Sequence, residues 1–129
     1  MTDATIELEI QEKGLTAPRV TPSDIADNIR AESYFTAYQG DSKALEDRAF
    51  EQGAGSLDFT GIRPAYDSLK LLTFCVLILR NGFTVTGESA CASPENFDAD
   101  IGRKIARENA VAKIWPLMGY ELRTQLAHS

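Results

Sequence analysis

One histidine, two cysteines, one tryptophan and no long apolar run: each scarcity in this chain excludes something. The longest uninterrupted apolar stretch, Phe74 to Leu79, falls far short of the roughly 20 residues that cross a bilayer. The opening Met1-Thr2-Asp3 supplies neither a basic region nor an apolar one, so no export signal is expected. Two cysteines without such a signal read as free thiols in a reducing compartment. The single histidine, His128, stands one residue from the end, where side chains are usually mobile, which argues against a histidine triad or a zinc site. Cys91 has no evident base beside it in sequence and reads as a small buried residue rather than a nucleophile. No glycine pattern of the Walker or dinucleotide type is present. Asn96, Asp98 and Asp100 begin like a calcium loop, but Ile101 stands where the loop needs glycine and Arg107 where it needs glutamate. Asn96 and Asp98 are therefore expected to cap backbone locally. No metal, no cofactor and no catalytic residue is expected.

Positive charge is also in short supply. The net charge is −6. Residues 1–68 carry −7 of it and residues 69–129 carry +1. The acidic half argues against general nucleic-acid binding, so an anionic partner is expected to meet residues 69–129.

What is present suits one globular domain over residues 1–129, with 43% hydrophobic residues and a core of its own. Ile6, Leu8 and Ile10 alternate with Glu7 and Glu9, which predicts a strand over 4–12 with an acidic outer row. Thr21-Pro22-Ser23-Asp24 is a helix start, and Ile25 and Ile29 extend the helix to about residue 37. It ends in Tyr34, Phe35 and Tyr38, read as core rings or, alternatively, as a stacking surface. Residues 40–68 look like a variable insertion or lid, with a short helix after Ser42 and a break at Gly53-Ala54-Gly55-Ser56.

The strongest local signal lies in residues 69–92. Asn81-Gly82 between two apolar, β-rich runs predicts a hairpin with a type I′ turn. That turn sets Arg80 opposite Phe83, Ile78 opposite Val85, Val76 opposite Gly87 and Leu72 opposite Cys91. Cys75 and Cys91 then stand too far apart to pair. The first strand of the hairpin is apolar on both faces, so it is central or covered by a second subunit. Gly87 marks a close approach, by a packed helix or by a ligand. Ser93-Pro94 starts a further helix, with Asp98 as the alternative cap. Ile101, Ile105, Ala112 and Trp115 continue it until Pro116, and a separate helix is expected over 117–127. The fold class is α+β: a small, mainly antiparallel three-stranded sheet around a central hairpin, packed by helices, in the order β-α-(α)-β-β-α-α. A homo-oligomer is expected.

Arg103 and Arg107 share a helix face. They form either a solvated face paired with Asp100 and Glu108, or a guanidinium pair that grips phosphate. Arg80 joins them if the helix crosses the sheet, and Phe83, Phe97 or Tyr120 offers a ring for a base. Arg80, Phe83, Asn96, Phe97, Arg103 and Arg107 are taken as the candidate ligand-binding residues.

Residues 71–123 carry a longer pattern. It comprises Leu72-Thr73-Phe74-Cys75-Val76-Leu77, Asn81-Gly82-Phe83-Thr84-Val85-Thr86-Gly87-Glu88-Ser89-Ala90-Cys91, Pro94-Glu95-Asn96-Phe97-Asp98, Ile101-Gly102-Arg103-Lys104-Ile105-Ala106-Arg107-Glu108 and Trp115-Pro116-Leu117 with Gly119-Tyr120. This string resembles the gene-product-forty-nine-like family of small phage and prophage proteins. The chain departs from that pattern at Met118, where the family commonly has glutamate. The resemblance implies a virus-encoded accessory protein in the host bacterial cytoplasm that binds rather than catalyses. One such role is to sequester a nucleotide-like second messenger of host immunity as a counter-defence sponge. The alternative is an inhibitor or adaptor that docks a host protein through the acidic N-terminal half.

Overall fold

The computed structural model describes residues 2–51, 53 and 64–129. In chain order the elements are α1 (Asp3–Glu12), α2 (Pro22–Asp27), β1 (Ile29–Thr36), α3 (Ala37–Glu51), a 3-10 helix (Pro64–Leu71), β2 (Leu72–Leu79), β3 (Thr84–Ala90), a 3-10 turn (Pro94–Asn96) and α4 (Ala99–Ala127). The three strands form one antiparallel sheet in the order β1-β2-β3, so the apolar β2 is central. The fold is α+β, as expected, but two elements exchange their types.

Residues 4–12 are helical, not a strand. Thr2 caps α1, its hydroxyl oxygen accepting from the Thr5 N–H at 3.2 Å. Glu, Leu, Ala and Gln are good helix formers, and no residue of α1 is buried. The alternation of Ile and Glu was therefore no report of burial. The helix at Thr21-Pro22 starts with the expected reciprocal capping of Thr21 and Asp24 but stops at Asp27. Residues 29–36 become β1, because β2 needs hydrogen-bonding partners on both edges. Asn28 turns the chain between them, its carbonyl accepting from the Arg80 N–H at 3.0 Å. Thr36 and Gln39 then cap each other reciprocally and launch α3 at Ala37, earlier than the expected start at Ser42. Beyond Gly53, the expected break through Ala54, Gly55 and Ser56 lies outside the described residues. Of the 40–68 segment, the described parts are α3, the turn at Gly53 and the start of the 3-10 helix.

The hairpin forms, with a different turn. Gly82 has φ +88°, and Asn81 does not share a positive φ. Leu79 N–H donates to the Phe83 carbonyl at 2.8 Å and Gly82 N–H to the Leu79 carbonyl at 2.9 Å. This is a three-residue loop with a left-handed glycine, the bulged alternative to type I′. The extra residue slips the register by one, so Leu77 faces Val85, Cys75 faces Gly87, Ile78 faces Thr84 and Leu72 faces Ala90. A one-residue slip exchanges faces. Val85 and Gly87 thereby join Cys75 and Leu77 on the side that α4 covers. Cys75 and Cys91 are both free.

α4 lies across β2 and β3 on a strip of small residues. Gly102 packs beside Thr73, while Ala106 and Ala110 lie over Gly87. A Cβ on Gly87 would overlap the Ala106 carbonyl oxygen and the Ala110 nitrogen, so the close approach is that of a helix. Leu77, Ile114 and Cys75 are fully buried at this contact. Asp98, not Ser93, caps α4, accepting from the Ile101 N–H at 3.0 Å. Pro116 does not end the helix. Ile114 before it and Met118 after it both pack on the core, and those contacts carry the axis through a residue that costs a helix interior about 3 kcal/mol. At the free edge of β3, Asn109 Nδ2 donates to the outward carbonyl of Glu88 at 2.8 Å.

Candidate functional site

Helical spacing of four puts Arg103, Arg107, Val111 and Trp115 along one side of α4. Arg103 pairs with Asp100 on the exposed first turn of the helix, as the solvated reading anticipated. Arg107 does something else. Its Nε donates to Glu32 Oε1 at 2.6 Å, which ties α4 to β1 across the sheet. Tyr34 O–H donates to the same oxygen at 2.9 Å. Tyr34 stands opposite the buried Cys75 in the sheet.

The electrostatics follow from these contacts. The guanidinium of Arg107 holds the Glu32 carboxyl below its ordinary value of 4.5, and Glu32 in turn raises Arg107. Burial, with the bond to Glu32 second, pushes the Tyr34 hydroxyl up to about 12. Burial also pushes the Cys75 thiol up, so it is a poor nucleophile.

Arg107 and Trp115 line an open-sided groove of about 550 Å³ between α4 and the first turn of α1. Thr2, Asp3 and Ala4 form its other wall. Trp115 Nε1 donates to Asp3 Oδ2 at 3.1 Å, which closes one end. Glu108 lines the same groove, so a carboxylate stands on each wall. A smaller hollow of about 100 Å³ continues beneath it, against Ile25 and Ile29.

Of the six candidate binding residues, Arg107 lines this groove. The others are dispersed. Gly102 beside Thr73 and Ala106 over Gly87 fix the direction of α4, which starts at the Thr73 end of β2 and runs toward the hairpin turn. Arg80 and the exposed Phe83 sit at that turn, about seven strand steps or roughly 23 Å from Thr73. They do not meet Arg103. Phe97 packs near Gly102 at the start of α4, with the exposed Asn96 before it. Sequence reasoning missed Asp3, Glu32 and Trp115 as site residues. Trp115 was within reach, since the i, i+4, i+8 spacing from Arg107 was visible. Glu32 was hidden by its assignment to a helix.

Among the described residues, no group of three or more histidine, cysteine, aspartate or glutamate side chains is placed to hold a metal ion. No helix among them is long and apolar enough to cross a membrane. Comparison with curated proteins and with solved structures finds no match. A family model does match, over residues 20–126, a span that takes in α2, the whole sheet and nearly all of α4 while leaving α1 outside. The chain belongs to the phage protein (N4 Gp49/phage Sf6 gene 66) family.

Proposed function

We propose that this phage protein is a binding protein, without chemistry of its own, that captures a small nucleotide-like anion in the groove between α1 and α4. The observation that carries this reading is the pairing of Arg107 with Trp115 along one wall of a groove of about 550 Å³. Eight residues of helix separate them, about 12 Å along the axis, room for a ring and a phosphate side by side. A guanidinium forks phosphate through its terminal nitrogens, and here only Nε is spent on Glu32. The indole offers a flat face for a base. Asp3 and Glu108 accept from donors such as ribose hydroxyls or an exocyclic amine, which favours a nucleotide over bare phosphate. In the host bacterial cytoplasm such a protein would act as a counter-defence sponge, withholding a nucleotide second messenger of host immunity.

A thermal-shift and calorimetric panel of cyclic nucleotides and ADP-ribose derivatives tests this. At least one member should raise the melting temperature and be recovered unchanged after heating. Arg107→Ala should weaken its binding about ten- to a hundredfold, the loss of roughly 1.5–3 kcal/mol expected of a charged hydrogen bond. A panel with no response, or wild-type affinity in Arg107→Ala, defeats the reading. We also propose self-association, because Phe74, Val76 and Ile78 on the second face of β2 are only partly buried. Light scattering at micromolar concentration should return a mass above the 14.1 kDa of one chain.

A second reading rests on α1, where Leu8 stands exposed between Glu7 and Glu9. An acidic helix with an apolar tip suits an adaptor that docks a basic host protein. An adaptor shows no thermal response to any nucleotide.

A further inference from the structure

We propose that α1 is a releasable lid on the Arg107–Trp115 groove, hinged at Gly14 and latched by two polar contacts. The helix buries none of its residues, and Ile6 and Leu8 remain exposed at 41% and 61%. It also lies outside the family-matched span. Its first turn nevertheless forms one wall of the groove, so moving it opens that site fully.

Two latches hold it closed. At the N-terminal end, Trp115 Nε1 donates to Asp3 Oδ2 at 3.1 Å. In the second turn, Arg19 forks Glu7, with Nη1 to Oε2 at 2.7 Å and Nη2 to Oε1 at 2.5 Å. Arg19 belongs to the segment that follows the helix, so this fork folds α1 back along its own connection. Between helix and fork stands Gly14, with φ +65° and nothing within 4 Å of the place a Cβ would take. A glycine in open space is free to change its dihedrals without meeting a neighbour. Elements with few buried apolar contacts open at the lowest free energies in a fold, well before the core. Opening at Gly14 thus exchanges the two latches and the Leu15 N–H to Ile10 carbonyl bond of 3.3 Å for water and frees the partly buried Glu7 and Ile10, while the main core, to which α1 contributes no residue, stays intact.

Trp115 is the chain's only tryptophan, so its fluorescence reports directly on the latch. The lid stands or falls independently of the ligand, and its test uses none. In full-length protein, amides of α1 should exchange at least about a hundredfold faster than those of Ala106 to Ile114. Acrylamide quenching of Trp115 should rise about twofold in Arg19→Ala and further in the Asp3→Ala, Arg19→Ala pair. The thermal midpoint followed by circular dichroism should move by no more than about 3 °C. Quenching that is unchanged in the double variant overturns the proposal. So does α1 exchange as slow as that of α4, or a midpoint lowered by about 10 °C, because each makes α1 an integral part of the core.

Discussion

The two helices that meet at the groove are held in opposite ways. α4 rests on the sheet through Gly87, Ala106 and Ala110, backbone against backbone, with Leu77 and Ile114 fully buried beside them. Each such large side chain contributes roughly 1.5–3 kcal/mol on burial. α1 has no fully buried residue and hangs on an indole hydrogen bond and a guanidinium fork whose side chains are partly shielded, 17% exposed at Glu7 and 27% at Arg19. An element held by a few polar contacts and little apolar packing opens at lower free energy than one seated in the core. A fixed wall and a loose wall therefore face each other across one site. Arg107, on the fixed wall, is further tied to β1 through Glu32, so the charge a ligand would meet is already positioned.

Breaking the fixed wall should cost most. Gly87→Ala places a Cβ against the backbone of Ala106 and Ala110, neither of which can turn aside. We expect a loss of about 3 kcal/mol, seen as a melting temperature lower by roughly 10 °C. A melting temperature within 2 °C of wild type would mean that α4 does not sit where it is described. The Glu32–Arg107 tie should cost less, since both side chains are more than a third exposed. Glu32→Gln should lose about 0.5 kcal/mol in urea titration at pH 7. Glu32 has a lowered pKa in the fold, so its contribution is fully present above the ordinary value of 4.5 and fades as pH falls through the lowered one. The gap between wild type and Glu32→Gln should thus hold steady above pH 4.5 and shrink as acid protonates the carboxylate, and a gap of the same size at every pH down to acid unfolding refutes the tie. Smallest of all, Leu8→Ala on the loose wall should stay within about 0.5 kcal/mol of wild type, because that side chain is already in water.

The hairpin strands, the caps at Thr21 and Asp98 and the helix over Gly87 were legible because each rests on a local rule that a few neighbouring residues satisfy. The register was not. Asn-Gly suits both a type I′ turn and a type I turn with a left-handed glycine, and only the dihedral of Asn81 decides between them. That single angle moves Val85 and Gly87 to the other face of the sheet. β1 was misread for a different reason. Its partner, β2, pairs with it across 37 to 50 positions, from Thr36 with Thr73 to Ile29 with Leu79, and a strand pairing of that range leaves no trace in local helix spacing. The same distance hid Glu32 from Arg107, 75 positions on. The surviving part of the site, Arg107, was the one that needed only α4 to be a helix.

The bond from Asn109 to the Glu88 carbonyl has a consequence in time. Residues 84, 86 and 88 turn their backbone groups away from β2, so β3 offers an open row to any other strand. An uncovered edge of this kind templates aggregation. During synthesis β3 is complete at Ala90, but the side chain that occupies its outer carbonyl comes 19 residues later. At 5–20 residues per second, the nascent chain carries that edge uncovered for roughly one to four seconds, and on a crowded ribosome its nearest competitor for the edge is the next copy of itself.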